Sequence, residues 1–124
     1  MKLNHTIVHC TDQARSALFL AELFGRPAPT RFGHFHVVTL DNDVSLDYMA
    51  VKPPIAAQHY AFLVSEEDFS AIFERIQARG LEYWADPALR RSGQINTHDG
   101  GRGVYFKDPD GHLMEALTVP YGGW

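Results

Sequence analysis

The sequence has too few cysteines for an internal disulfide and too little charge of one sign to attract a polyanion. Cys10 is the single cysteine, so the fold depends on its core, and a reducing cytoplasm is the expected location. The formal net charge of -4 gives no electrostatic footprint for nucleic acid or an anionic membrane. The opening stretch MKLNHTIVHC lacks the sustained apolar run of a signal peptide or a membrane span.

The 124 residues do provide an ordinary globular composition with one enrichment. Hydrophobic residues make up 45% and charged residues 21%, which is typical of one domain, here 1–124, that buries a core of its own. Histidine occurs seven times, at positions 5, 9, 34, 36, 59, 98 and 112. The question for function is which of these imidazoles converge.

The first half of the chain predicts a strand, a helix and three further strands. The strand runs over 2–9, the apolar stripe with helical spacing over 14–21, and the extended runs lie near 29–33, 34–40 and 44–50. Thr11 or Asp12 suits the helix N-cap, because either offers an oxygen to the free N–H groups of the first turn. Gly25 suits the left-handed residue that ends a helix.

The second half predicts the same order of elements. Its parts are a strand at 58–64, a helical stripe at 69–76, a short strand at 81–84, a polar loop at 86–101 and a hairpin of 103–107 with 112–118. Ser65 followed by Asp68 has the spacing of a helix cap, and Gly80 ends that helix. The hairpin turn is Asp108-Pro109-Asp110-Gly111, which is rich in turn-forming residues.

The two halves match each other in spacing. His59 follows His5 by 54 residues, and Glu115 follows Asp47 by 68. The loop at 86–101 absorbs the difference, because insertions between repeated units fall in loops. We predict an α+β fold of two tandem βαβββ modules, about 1–52 and 56–124. The four named side chains would meet at one point if the halves pack about a pseudo-twofold axis.

Three segments carry a family resemblance that covers essentially the whole chain. LNHTIV, QHYAFLV and GVYFKDPDGHLMEAL are similar, in order and spacing, to landmarks of the vicinal oxygen chelate superfamily. That superfamily includes glyoxalase I, fosfomycin-resistance enzymes, bleomycin-resistance proteins and extradiol dioxygenases. The resemblance implies that His5, His59 and Glu115 are metal ligands. It also implies that the two modules form a curved mixed sheet around a metal site, that the substrate is a small molecule and that the protein is a homodimer. The net charge argues against nucleic acid or a membrane as a partner.

Coordination chemistry agrees with this ligand set. Two imidazoles and one carboxylate on a sheet face form a facial triad that leaves positions open for substrate or oxygen. Fe(II) is the favoured ion, with Mn, Ni, Co and Zn as alternatives. Asp47 matches Glu115 in the repeat, so it binds the metal directly, binds through a water, acts as a base, or is simply a polar residue of a half-exposed strand.

A further pattern near the C-terminus resembles the extradiol dioxygenase signature. Asn96-Thr97-His98 precedes Tyr105 and the DPDG turn, with Glu115 beyond. The resemblance implies that His98 is an acid/base beside bound oxygen and that Tyr105 contacts the substrate. An imidazole suits this role, because opening a catechol ring requires two deprotonations near neutral pH.

Three functions remain open from the sequence. An Fe(II) extradiol-type dioxygenase of a catecholic compound is favoured by His98 and Tyr105. A glyoxalase-I-like isomerase or fosfomycin-type thiol transferase is favoured by Asp47, and a bleomycin-resistance-like drug-binding protein is the third possibility. Among the other polar residues, His112 is expected at the surface by strand alternation. Arg102 is expected in a solvated loop, with contact to an anionic substrate as the alternative.

Overall fold

The computed structural model describes residues 1–120, which fall into two compact units with the boundary between Ala56 and Ala57. The first unit contains β1 (His5–Cys10), α1 (Gln13–Leu23), β2 (Thr30–Phe32), β3 (Phe35–Thr39) and β4 (Ser45–Ala50). The second contains β5 (His59–Leu63), α2 (Glu66–Ala78), β6 (Tyr83–Trp84), a short 3₁₀ turn (His98–Gly100), β7 (Gly103–Lys107) and β8 (Leu113–Leu117). The predicted order of elements is therefore confirmed in both halves.

Each unit carries one four-stranded sheet with the same topology. The strand orders are β1-β4-β3-β2 and β5-β8-β7-β6. In each sheet the first and last strands of the unit pair in parallel, whereas the other neighbours are antiparallel. Both sheets are thus mixed, and the predicted α+β fold of tandem βαβββ modules is confirmed.

The repeat extends to the pairing register of the strands that carry the candidate ligands. In the first unit His5 pairs with Ser45, and two residues later Ile7 pairs with Asp47. In the second unit His59 pairs with Leu113, and two residues later Ala61 pairs with Glu115. Each histidine therefore precedes, by two residues on its own strand, the position opposite the carboxylate.

Helix caps form where the sequence predicts them, and the open choice at the first helix is decided. Asp12 caps α1, since its side chain accepts a hydrogen bond from the Arg15 backbone N–H at 3.0 Å. Ser65 caps α2 through the Asp68 backbone N–H, also at 3.0 Å. Gly25 and Gly80 both have φ of 65°, the left-handed conformation that lets the chain leave a helix.

Several strands are shorter than predicted, and the buried face of β1 is the one without histidine. The strand over 2–9 begins at His5, and the strand over 81–84 keeps only its last two residues. Val8 and Cys10 are fully buried, while His5 and His9 on the opposite face are exposed. Among residues 1–120, no helix is long and apolar enough to cross a membrane.

Candidate metal centre

The second unit brings one imidazole and one carboxylate together. His59 Nε2 lies 3.1 Å from Glu115 Oε1, across the parallel pair β5 and β8. The Glu115 carboxylate is fully buried, whereas 45% of the His59 side chain is exposed. A buried carboxylate is costly unless a cation or hydrogen-bond donors compensate it.

The hydrogen bond of the second ring nitrogen, Nδ1, indicates which nitrogen of His59 carries the proton. His59 Nδ1 lies 3.0 Å from the Leu113 carbonyl oxygen, which can only accept a hydrogen bond. Nδ1 therefore carries a proton, and in neutral imidazole Nε2 presents a lone pair to the carboxylate. Two acceptors at 3.1 Å repel each other unless a proton or a metal ion lies between them.

This arrangement fits a divalent metal ion. Metal-bound histidines ordinarily donate their other N–H to a carbonyl or carboxylate, which fixes the ring and its tautomer. Leu113 supplies that carbonyl to His59, and Glu115 supplies the adjacent anionic oxygen. Imidazole nitrogen with carboxylate oxygen is a donor set for Fe, Mn, Co, Ni or Zn.

Tyr105 lies on the same face of the sheet. It is the cross-strand partner of Glu115 on β7, and its ring stacks on His59 with centroids 6.0 Å apart and an interplanar angle of 21°. The second unit therefore brings together three of the predicted site residues: His59, Glu115 and Tyr105.

The first unit holds the other two predicted ligands on adjacent strands. Asp47 is nearly buried and accepts a hydrogen bond from the Ser45 hydroxyl at 3.1 Å. His5 is exposed, and its Nδ1 is 2.7 Å from the Asn4 side-chain oxygen. Within the described range 1–120, no three His, Cys, Asp or Glu side chains assemble into a group able to hold a metal ion. Among the four predicted ligands, the contact that the structure describes is the one between His59 and Glu115.

His98 is exposed and lies on the 3₁₀ turn that precedes β7. Its backbone N–H is 3.3 Å from the Asn96 side-chain oxygen. Asn96 is buried, exchanges two backbone hydrogen bonds with Gly103, and donates its side-chain N–H to the Ala85 carbonyl at 2.8 Å. The loop carrying His98 is therefore fastened to the start of β7.

The expected surface role of His112 is wrong. Its side chain is buried, and its Nδ1 accepts a hydrogen bond from the Gln58 backbone N–H at 2.9 Å. Its own backbone N–H donates to Asp108 Oδ1 at 2.9 Å. Alternation does turn His112 away from Glu115, but that opposite face is the protein interior. Burial raises the pKa of Asp108.

Arg102 is engaged within the fold rather than solvated. Its guanidinium donates to the Glu66 carboxylate at 2.8 Å and backbone carbonyl at 2.9 Å, and to the Ser70 hydroxyl at 2.8 Å. It also lies 4.5 Å from the centre of the Phe69 ring. These contacts hold the Arg102 guanidinium at the start of α2 and pair its charge with Glu66. The alternative of an Arg102 contact with an anionic substrate is therefore not supported.

The residues that sequence reasoning missed are the Leu113 carbonyl and Lys107. No side-chain pattern identifies a backbone acceptor, because every residue has one. Lys107 follows Tyr105 by two residues, so strand alternation placed it on the face of the site. The alternation of β7 is therefore the sequence signal that could have identified Lys107.

The family comparison matches this architecture. Residues 2–116 match the model of the glyoxalase/bleomycin resistance protein/dioxygenase superfamily. The chain belongs to this superfamily, which confirms the resemblance drawn from its three sequence landmarks.

Particular relatives point to two chemistries. The solved structure of the oxidase ChaP-H1 is 61% identical, with a TM-score of 0.97 and 99% coverage of both chains. The oxidase ChaP-H2 is 55% identical, with a TM-score of 0.96, over 98% of this chain and 96% of that one. Glutathione transferase FosA of Serratia marcescens is 31% identical over 119 residues, covering 91% of this chain and 77% of that protein.

Proposed function

We propose that this protein is a metal-dependent oxidoreductase that uses oxygen on a small molecule with vicinal oxygen atoms. Extradiol-type dioxygenation of a catecholic compound is the reaction we favour. The observation that carries the proposal is the His59–Glu115 pair. The buried carboxylate faces Nε2 of an imidazole whose Nδ1–H is hydrogen-bonded to the Leu113 carbonyl. The 61% identity to a protein described as an oxidase supports this direction of chemistry.

The proposed metal ligands are His5, His59 and Glu115, as in metal-binding members of the superfamily. Fe(II) is the preferred ion for a two-histidine, one-carboxylate set, with Mn, Ni, Co or Zn as alternatives. When bound, the ion supplies Lewis acidity and a site at which diol and oxygen can be held together. We further propose one domain over 1–124 with modules about 1–52 and 56–124, acting as a cytoplasmic homodimer.

The chain's own residues orient the substrate and move protons. Tyr105, stacked on His59 and opposite Glu115, contacts a substrate oxygen through its phenol. His98 accepts and returns the diol protons, because an imidazole can act both as a proton acceptor and as a proton donor. The Leu113 carbonyl keeps His59 in the tautomer that presents Nε2 toward Glu115.

The test is anaerobic loading with Fe(II), followed by addition of oxygen and a panel of catechols. Ring cleavage breaks one C–C bond beside the diol and places both atoms of O₂ in the product. We expect oxygen uptake, a yellow ring-fission product and incorporation of two labelled oxygens from ¹⁸O₂. Loss of bound metal in Glu115→Ala and retention of metal with reduced turnover in His98→Ala are also expected. Absence of metal from the wild type, or no oxygen uptake by loaded protein, would overturn the proposal.

A thiol transferase is the second candidate, and its support is the 31% identity to FosA. In this alternative Asp47 joins the metal ligands and the substrate carries a phosphonate or epoxide oxygen. The assay is formation of a glutathione adduct of fosfomycin by protein loaded with Mn(II). Adduct formation that is lost in Asp47→Asn, with no oxygen uptake on catechols, would favour the transferase.

A further inference from the structure

A lysine stands on the same sheet face as the candidate metal pair. Along β7, Val104 and Phe106 are fully buried, so the alternating positions Tyr105 and Lys107 belong to the opposite face. The Tyr105 position is directly opposite Glu115 on β8. Lys107 is therefore on the side of the sheet that carries the buried carboxylate.

The pairing register brings Lys107 and His59 to the same level of the sheet. Lys107 pairs with Leu113 on one side, and Leu113 pairs with His59 on the other. Neighbouring strands are about 4.8 Å apart, so the two backbones are separated by roughly 10 Å. A ligand held at His59 and Glu115 that extends across Tyr105 comes within the reach of a lysine side chain.

Trp84 holds the ammonium group. Lys107 Nζ lies 5.8 Å from the centre of the Trp84 ring, within the range of a cation–π contact. Trp84 is the cross-strand partner of Tyr105, so the two aromatic residues continue the row that starts at Glu115. Lys107 is itself exposed, and among residues 1–120 it forms no ion pair. Its charge is available to a ligand.

We propose that Lys107 recognises an anionic group of the substrate, a carboxylate or phenolate on the side away from the chelating oxygens. The inference rests on the proposed function, because it takes the His59–Glu115 pair as the end at which the diol is bound. An ammonium on an aromatic ring is a compact cation with three donors, suited to a single anionic oxygen group. Lys107 would thereby select charged substrates over neutral ones.

The test compares an acid with its neutral counterpart. Dissociation constants for catechol, 3-(3,4-dihydroxyphenyl)propionate and the amide of that acid are measured by difference absorption with anaerobic Fe(II)-loaded protein. The flexible propionate spans the required length without fixing the angle. Lys107→Met and Lys107→Arg are the variants, and Lys52→Met, which removes an exposed lysine from the first unit, is the charge-matched control.

We expect wild type and Lys52→Met to bind the acid about tenfold more tightly than the amide, as a charge-assisted contact allows. Lys107→Met should lose that preference by weakening the acid alone, and Lys107→Arg should keep most of it. Equal binding of acid and amide by wild type, or an unchanged preference in Lys107→Met, overturns the inference while leaving the proposed function intact. Failure of all three catechols to bind overturns the proposed function and the inference with it.

Discussion

The imidazole of His59 and the carboxylate of Glu115 face each other at 3.1 Å, with one partner half-exposed and the other fully buried. The Leu113 carbonyl accepts a hydrogen bond from the Nδ1–H of His59, which leaves Nε2 for the carboxylate or for a cation shared with it. Such a contact is unfavourable with nothing between the two acceptors and strongly favourable with a metal ion there. The pair therefore presents one nitrogen and one oxygen atom that a metal ion could bind together.

Replacing Glu115 with glutamine should abolish tight metal binding while preserving the fold. The amide has nearly the same shape but no charge, so we expect metal affinity to fall by at least about 100-fold, more than loss of an outer-shell partner causes. Metal content after reconstitution measures the affinity. Thermal unfolding with and without chelator measures the stabilisation by metal.

The matched control is Glu74→Gln, on the exposed face of α2. It should bind metal as the wild type does. Metal binding by Glu115→Gln at wild-type affinity would remove Glu115 from the ligand set.

Adding a methyl group at Gly103 should destabilise the loop that carries His98. A Cβ there would lie 2.8 Å from both terminal atoms of the Asn96 amide, which the Ala85 carbonyl holds in place. We expect Gly103→Ala to cost about 1–3 kcal/mol, as overpacking usually does. Urea unfolding measures this loss of folding free energy.

A double-mutant cycle identifies the source of that cost. Asn96→Ala removes the clash along with its own hydrogen bonds, so the double variant should lose less than the sum of the single ones. Strict additivity would show that the strain comes from somewhere other than Asn96.

Asp108 should make stability depend on pH. Burial raises the pKa of this carboxyl, although the backbone N–H of His112 partly opposes the shift. The folded state then holds the proton more tightly than the unfolded chain. The resulting stability is present at low pH and is lost as pH rises through the raised pKa.

Asp108→Asn keeps the Oδ1 acceptor of the turn and removes the titration. The melting temperature of Asp108→Asn should rise relative to that of the wild type as the pH is increased from about 4 to about 7. Asp99→Asn is the control, because Asp99 is exposed and has a left-handed backbone that asparagine tolerates. A difference between Asp108→Asn and wild type that is constant with pH would contradict the assigned cause.

Arg102→Lys should lower the melting temperature by several degrees. Lysine cannot reproduce the guanidinium's simultaneous contacts with the Glu66 carboxylate, its carbonyl and Ser70. Hydrogen bonds from Thr118 and then from Arg102 lower the pKa of Glu66. This contribution is present above the unfolded pKa of Glu66 and is lost as pH falls through the lowered value.

The difference in melting temperature between wild type and Arg102→Lys should therefore become smaller below about pH 4. Arg90→Lys is the control, since Arg90 donates hydrogen bonds to Asp86 from its backbone N–H, which the substitution retains. A gap that does not change with pH would show that packing on Phe69, rather than the Glu66 ion pair, carries the effect.

The pattern of the chain was enough to predict the elements and their repetition. The alternation of residues along extended runs predicted the strands, and apolar residues at helical spacing predicted α1 and α2. The glycines at 25 and 80 predicted the helix ends. The matching positions of the two halves also correspond to an equivalent pairing in the two sheets, where Asp47 lies opposite Ile7 and Glu115 lies opposite Ala61. Such features follow from local backbone geometry, which acts over a few residues.

The sequence did not reveal how polar side chains would be used. His112 and Arg102 look like surface residues, yet one is buried beside the DPDG turn and the other is fastened to Glu66. Which strand face is interior, and which residue distant in sequence supplies a partner, depends on how elements pack. Neither is encoded in a short window of sequence.

For this protein the sequence by itself determined the superfamily, the tandem βαβββ units and the candidate ligand positions. The tertiary structure alone decided that Glu115 is buried, that His59 turns Nε2 toward it, and that the Tyr105 ring stacks on His59. The physical reason is that periodicity fixes which face a residue occupies. Burial and hydrogen-bond partners arise only when strands distant in sequence are brought side by side.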